Sequence, residues 1–170
     1  MSIRLAIVAL ALSGSTAAIA GTTAVAELRD ADGAARGTAK VHKARDGVEV
    51  SARIADLAPG AYAIHVHAVG RCEGPDFTTA GAHWNPMGAQ HGIKHPEGPH
   101  MGDLPNVTIK KNRGGRIVGH LKGAVMQGGT NGLMDADGAA IVLHAKADDH
   151  VTQPTGGSGA RIACGVLVTK

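Results

Sequence analysis

Aromatic side chains are nearly absent: Tyr62, Phe77 and Trp84 are the whole complement, 2% of 170 residues. A core must therefore come from Val, Ile, Leu and Ala. Surfaces that stack nucleic-acid bases on aromatic rings have nothing to be built from. Runs of one charge are missing too. Lys and Arg number 17 against 14 Asp and Glu, a net charge of +3 without a basic block, so charge lends no support to a nucleic-acid partner. The chain also lacks the ~20 consecutive apolar residues that a membrane span needs. Its early apolar run, residues 5–12, follows Arg4 and precedes Ala18-Ile19-Ala20. That order is the signature of a secretory signal with a small-residue cleavage site. Residues 1–20 are therefore expected to be a signal peptide, and residues 21–170 one exported domain, best suited to a bacterial periplasm. Cysteine is scarce. Cys72 and Cys164 stand too far apart for a CxxC motif. In an oxidising compartment the default is one disulfide between them, and two buried thiols are the alternative.

Helical periodicity is also missing. Short stretches of alternating small apolar and polar residues recur instead, separated by turn signals such as Asp32-Gly33, Asp46-Gly47, Pro59-Gly60 and Asp137-Gly138. They predict strands over residues 22–29, 35–43, 48–54, 61–67, 107–110, 116–121, 139–144 and 162–169, with Gly114-Gly115 as a further turn. About eight strands make an all-β antiparallel barrel or sandwich. Two long connections, 68–106 and 145–161, break the even spacing, and long ordered loops in a β domain usually carry function.

What the chain has in excess is histidine, ten in all, six of them between His65 and His100. On a strand, residues two apart share a face, so His65 and His67 point one way and Ile64 and Val66 the other. His83 comes from the long loop, and His144 ends a different strand. These four imidazoles can form an all-nitrogen site of the kind that suits copper. His83, His91, His100 and Asp103 can form a second site, three nitrogens and one oxygen, that suits tetrahedral zinc. His83 is counted in both because a deprotonated imidazole has two ring nitrogens. Spacing establishes neither two metals nor a bridge. His42, His120 and His150 are read as satisfied or solvated side chains, and no pattern demands His95.

His-Val-His at 65–67, Ala-Gly-Ala-His-Trp-Asn-Pro at 80–86, His91-Gly92, His-Met-Gly-Asp-Leu-Pro-Asn-Val at 100–107, Val-Leu-His-Ala-Lys-Ala-Asp-Asp at 142–149 and Gly-Ala-Arg-Ile-Ala-Cys-Gly-Val at 159–166 together resemble the copper/zinc superoxide dismutase family. The resemblance runs in order along the whole mature chain. It implies an eight-stranded Greek-key β-barrel with two functional loops, and disproportionation of the superoxide anion to dioxygen and hydrogen peroxide. It implies copper on His65, His67, His83 and His144, and zinc on His83, His91, His100 and Asp103, with His83 as bridge and proton carrier. It also implies a Cys72–Cys164 disulfide, Arg161 as the residue that guides the anion, and Asp148 as a carboxylate linking His65 to His91. A homodimer is compatible with such a barrel, though no self-complementary patch marks one. The chain departs from the family in having Ala63-Ile64 before the first histidine pair, where Gly-Phe is common, and Trp84 where Phe is common. Its second loop is short and poor in charge.

Overall fold

The computed structural model describes residues 23–170. The expected signal peptide and its cleavage point lie outside the described residues. Ten strands follow in order: β1 (Thr23–Arg29), β2 (Ala35–Lys43), β3 (Gly47–Ala55), β4 (Gly60–Tyr62), β5 (Ile64–His67), β6 (Val107–Ile109), β7 (Gly114–Lys122), β8 (Ala140–His144), β9 (Arg161–Val166) and β10 (Val168–Thr169). Eight of them form one antiparallel sheet in the order β5-β8-β9-β1-β2-β3-β7, with β10 also on β1. β4 and β6 pair separately, and β6 lies against β7. The non-consecutive neighbours β3–β7, β5–β8 and β9–β1 are the Greek-key crossovers of a curled barrel.

Alternation drives this arrangement. Ala24, Ala26 and Leu28 on β1, Val41 on β2, and Val48, Val50, Ala52 and Ile54 on β3 face the core, with exposed or half-buried residues between them. Several expected bounds move by a single residue, and three of the expected strands differ by more. The strand expected over 61–67 breaks at Ala63, whose N–H donates to the Lys146 carbonyl while its own carbonyl accepts from the His144 N–H. The chain thereby passes from the β4–β6 pair to the β5–β8 pair. The last strand breaks at Leu167, which turns into the core and donates its N–H to the Ala139 carbonyl. Gly114 and Gly115 belong to β7, and the turn is made one step earlier by Arg113, in the left-handed region at φ 62°. A short 3-10 turn, Thr78–Ala80, is the sole helical element among the described residues.

β5 and β8 are buried on both faces. Ile64, Val66, Ile141 and Leu143 enter the main core, where Trp84 packs with them. On the other face, Ala140 and Val142 join Cys164, Phe77 and Ala80 in a second cluster, with Cys72 packed against it. The long 68–106 loop is the lid over that face. It also caps the free edge of β5: the Trp84 N–H donates to the Val66 carbonyl at 2.8 Å, and the Val66 N–H to the Gly102 carbonyl at 2.9 Å. Gly102 is required there, because a Cβ would run into the Val66 carbonyl. The Cys72–Cys164 disulfide ties this loop to β9 across 92 residues of sequence. A C72S/C164S double variant is expected to lose about 2–5 kcal/mol of stability, the usual effect of opening so long a closed loop. Comparing thermal unfolding of the two proteins with equal metal content checks this, and coincident midpoints would contradict it.

Candidate metal centre

β5 presents His65 and His67 beneath the loop, β8 ends in His144, and the loop returns His83 to a bridge position opposite His67. One ligand nitrogen from each of the four lies within 4.8 Å of the others. The inward nitrogens, His65 Nδ1 and the Nε2 atoms of His67, His83 and His144, are enclosed and have no hydrogen-bond partner. Their opposite ring nitrogens are all held. His65 Nε2 lies 2.8 Å from Asp148 Oδ2, His67 Nδ1 donates to the Gly81 carbonyl at 2.9 Å, and His83 Nδ1 lies 3.0 Å from Asp103 Oδ1. His144 Nδ1 meets the Gly159 carbonyl at 3.3 Å and Ser158 Oγ at 3.2 Å. Such outer contacts set ring orientation and tautomer. A buried nitrogen without a partner is costly, and four that converge are what a cation satisfies.

A second group adjoins the first. Asp103 Oδ1 lies 3.0, 3.1 and 3.5 Å from the Nδ1 atoms of His83, His91 and His100. Its Oδ2 accepts the N–H groups of Gly92 and His100, which locks the carboxylate. His83 thus belongs to both groups, through opposite ring nitrogens. Asp148 spans the two from behind, with Oδ2 on His65 and Oδ1 3.0 Å from His91 Nε2.

The electrostatics of the two groups differ. Burial pushes His65 down to about 4, His67 to about 2 and His144 to about 3, and neighbouring imidazoles add to the effect. These rings are therefore neutral, the form that ligates metal. Burial pushes His91 down as well, but the Asp103 and Asp148 carboxylates outweigh it and raise His91 to about 9. Burial opposes ionisation of those two carboxyls. Hydrogen bonds from His83 and His91 to Asp103, and from His65 and His91 to Asp148, nevertheless hold both below the usual carboxylate range. In the second pocket the carboxylates favour positive charge on His91, while burial lowers His100, and the first pocket offers neutral nitrogen donors.

A cleft of about 420 Å³ opens over the first group, lined by His67, His83, His144, Asn85, Pro154 and Arg161 among others. Arg161 Nη1 and Nη2 donate to the carbonyls of Phe77 and Gly81, each at 2.6 Å. Gly81 therefore holds both Arg161 and His67. Burial lowers the Arg161 pKa, with Asp76 opposing the shift, and a guanidinium stays charged at any working pH. Other hollows lie on the outer sheet face and at the barrel end, away from the histidine cluster.

The residues read from sequence for the site all meet here. Outside it, His95 is half-buried and accepts the Glu97 N–H, while His42 and His120 face carboxylates on the barrel surface. His150 is buried beside Asp148 and Asn106. Sequence reasoning missed the supports. Asn106 clamps the Asp148 backbone with two 2.8 Å hydrogen bonds, and Gln153 clamps the His91 backbone with hydrogen bonds of 2.8 and 3.0 Å. Gly156 sits at φ 64°, where a Cβ would strike Asp148 Oδ1. No local pattern in the sequence marks any of these three. G156A is expected to displace Asp148 and weaken zinc retention by roughly 10–100-fold, as loss of an outer-shell partner does. Competition with a chelator measures this, and unchanged retention would show that Asp148 does not support His91.

A Greek-key barrel with two abutting potential ligand groups that share one histidine defines a class, barrels able to hold two neighbouring metal ions. Residues 35–167 match the family model of copper/zinc superoxide dismutase (SODC), and the chain belongs to this family. It is 42% identical over 151 residues to the Cu-Zn superoxide dismutase of Caulobacter vibrioides, with 85% of each chain covered. The structure of a superoxide dismutase-like protein from Bacillus subtilis aligns with a TM-score of 0.80 at 33% identity, over 85% of this chain and 97% of that one. The Cu/Zn superoxide dismutase of Brucella abortus aligns with a TM-score of 0.68 at 25% identity, over 86% and 99%. Copper and zinc are the metals of the family.

Proposed function

We propose that this protein disproportionates superoxide, two superoxide anions and two protons giving dioxygen and hydrogen peroxide. In this reading His65, His67, His83 and His144 hold copper, and His83, His91, His100 and Asp103 hold zinc. The observation that carries it is the set of four enclosed, partnerless imidazole nitrogens beneath an arginine-lined cleft. The donor sets fit the two ions: four nitrogens suit copper, and three nitrogens with a carboxylate suit zinc. Held by these four imidazoles, copper would supply one-electron redox chemistry.

The chain's own residues do the rest. Arg161 offers a fixed positive charge beside the cleft and docks the anion. The hydrogen bond from His67 to Gly81, and those from Arg161 to Gly81 and Phe77, hold ring and guanidinium in register. His83 is the imidazole placed to carry a proton at Nε2 and deliver it to the second anion, while Nδ1 stays against Asp103. Asp148 keeps His65 and His91 in fixed tautomers. The protein is exported in this reading. The leading 20 residues and the disulfide support that.

The test is superoxide removal by protein with measured metal content. Activity should require copper, and return when copper is restored to copper-depleted protein. A fully loaded protein that leaves superoxide untouched would instead be a copper carrier of the same fold.

A further inference from the structure

His144 is held differently from the other imidazoles that belong to the first group alone. The outer nitrogens of His65 and His67 face the Asp148 carboxylate and the Gly81 carbonyl. Those oxygens only accept, so each of these two rings keeps its proton on the outer side. His144 Nδ1 lies 3.3 Å from the Gly159 carbonyl, beyond the ~2.7–3.2 Å usual for an N–H···O hydrogen bond. It also lies 3.2 Å from Ser158 Oγ, and a hydroxyl can donate as well as accept. Ser158 is fully buried. Among the described residues its Oγ meets no polar partner except His144 Nδ1. Its backbone is pinned on both sides: its N–H donates to the Thr155 carbonyl at 3.2 Å, and its carbonyl accepts the Lys146 N–H at 2.9 Å.

We propose, resting on the copper ligation of the proposed function, that Ser158 is a positioning residue for His144: in the copper-free protein its hydroxyl donates to Nδ1 and holds the ring's single proton on Nε2, the nitrogen that copper needs.

The donor role satisfies more hydrogen-bonding groups. Burial keeps the ring neutral, so it carries one proton. With that proton on Nδ1, the hydroxyl proton of Ser158 has no acceptor, and a buried donor without a partner is costly. With the proton on Nε2, Nδ1 accepts from Ser158. The Nε2 proton then points among the inward nitrogens of His65 and His67, which lie within 4.8 Å and have no partner of their own. The one loss is the long contact to Gly159. Ligation demands the reverse, a lone pair at Nε2 and the proton at Nδ1, where Ser158 Oγ and the Gly159 carbonyl both accept it. The ring's charge is the same in both forms, and exchange with solvent in the cleft that His144 lines carries the proton across. Copper binding therefore requires a change of tautomer at His144, and none at His65 or His67.

The test uses the mature protein with zinc in place and copper removed, its histidines labelled with nitrogen-15. Long-range nitrogen–proton correlation spectra show which ring nitrogen carries the proton. In the unaltered protein His144 should be protonated at Nε2 and His67 at Nδ1. In S158A the His144 proton should move to Nδ1, with His67 as before, which marks an intact fold. Competition with a chelator should then find copper(II) held about tenfold more tightly by S158A, the factor that the net contribution of one hydrogen bond gives. An acceptor role would do the opposite and weaken copper by roughly 10–100-fold, as loss of an outer-shell partner does. A His144 proton at Nδ1 in the unaltered protein, an unchanged His144 in S158A, or copper held no more tightly by S158A would each overturn the proposal. None of these measurements needs turnover, so a copper-loaded protein that leaves superoxide untouched would strike the proposed function alone.

Discussion

Alanine at position 83 is expected to strip both metals from the protein and bring superoxide removal to the uncatalysed background. The side chain has one nitrogen in each group: Nε2 among the partnerless nitrogens, and Nδ1 3.0 Å from Asp103. Its ring centroid lies 3.9 Å from that of His65, so alanine also opens a gap between the two sites. Three imidazoles would remain on one side, and two imidazoles with a carboxylate on the other. Loss of a direct ligand should cost each metal more than the roughly 10–100-fold that outer-shell partners cost. Copper and zinc contents after dialysis against a chelator are the measurement. H100A is the companion, because His100 belongs to the second group alone, and it should lose zinc while keeping copper. An H83A protein with full zinc and copper would remove the bridge, and with it the shared architecture that the proposed function needs.

The second large effect is expected at Arg161. R161A should reduce kcat/KM for superoxide by about tenfold or more, the range that electrostatic guidance of an anion supplies, and leave copper content unchanged. The reduction should shrink as ionic strength rises, because salt screens the attraction that the variant lacks. R161K should fall between the two. It keeps the charge but not the planar fork that reaches the Phe77 and Gly81 carbonyls together. Equal rates for R161A and the unaltered protein at low salt would take the docking role away from this residue. A drop in copper would instead mean that its hydrogen bonds matter more than its charge, through Gly81 and its contact with His67.

The charge-poor second loop puts more weight on that arginine. The part of the loop that reaches the cleft offers Pro154, Thr155 and Gly159, none of them ionisable. Arg161 is the cleft's one fixed cation among the described residues, so the single substitution should have a large effect.

How much of this was legible beforehand depends on the range of the interaction. The His65/His67 pair could be read because strand alternation is local: Ile64 and Val66 are apolar, so the histidines share the other face. Most strand bounds followed from the same alternation and from turn pairs, of which Asp32-Gly33 and Asp137-Gly138 place their glycine at positive φ. The breaks at Ala63 and Leu167 could not be read, because each is set by hydrogen bonds to residues far along the chain, Lys146 and His144 for one and Ala139 for the other. Asn106, Gln153 and Gly156 escaped for the same reason. Each acts through backbone or carboxylate atoms that only folding brings near, and an Asn or a Gly in a loop looks like any other.

By itself the sequence determined the strand alternation, the cysteine pair and the donor types, since these depend on residue chemistry and on neighbours one or two positions away. Tertiary structure alone decided which nitrogen of each imidazole points inward. That choice depends on which oxygen meets the opposite nitrogen, and the Asp148, Gly81, Gly159 and Asp103 oxygens lie 14 to 83 residues from the rings they fix.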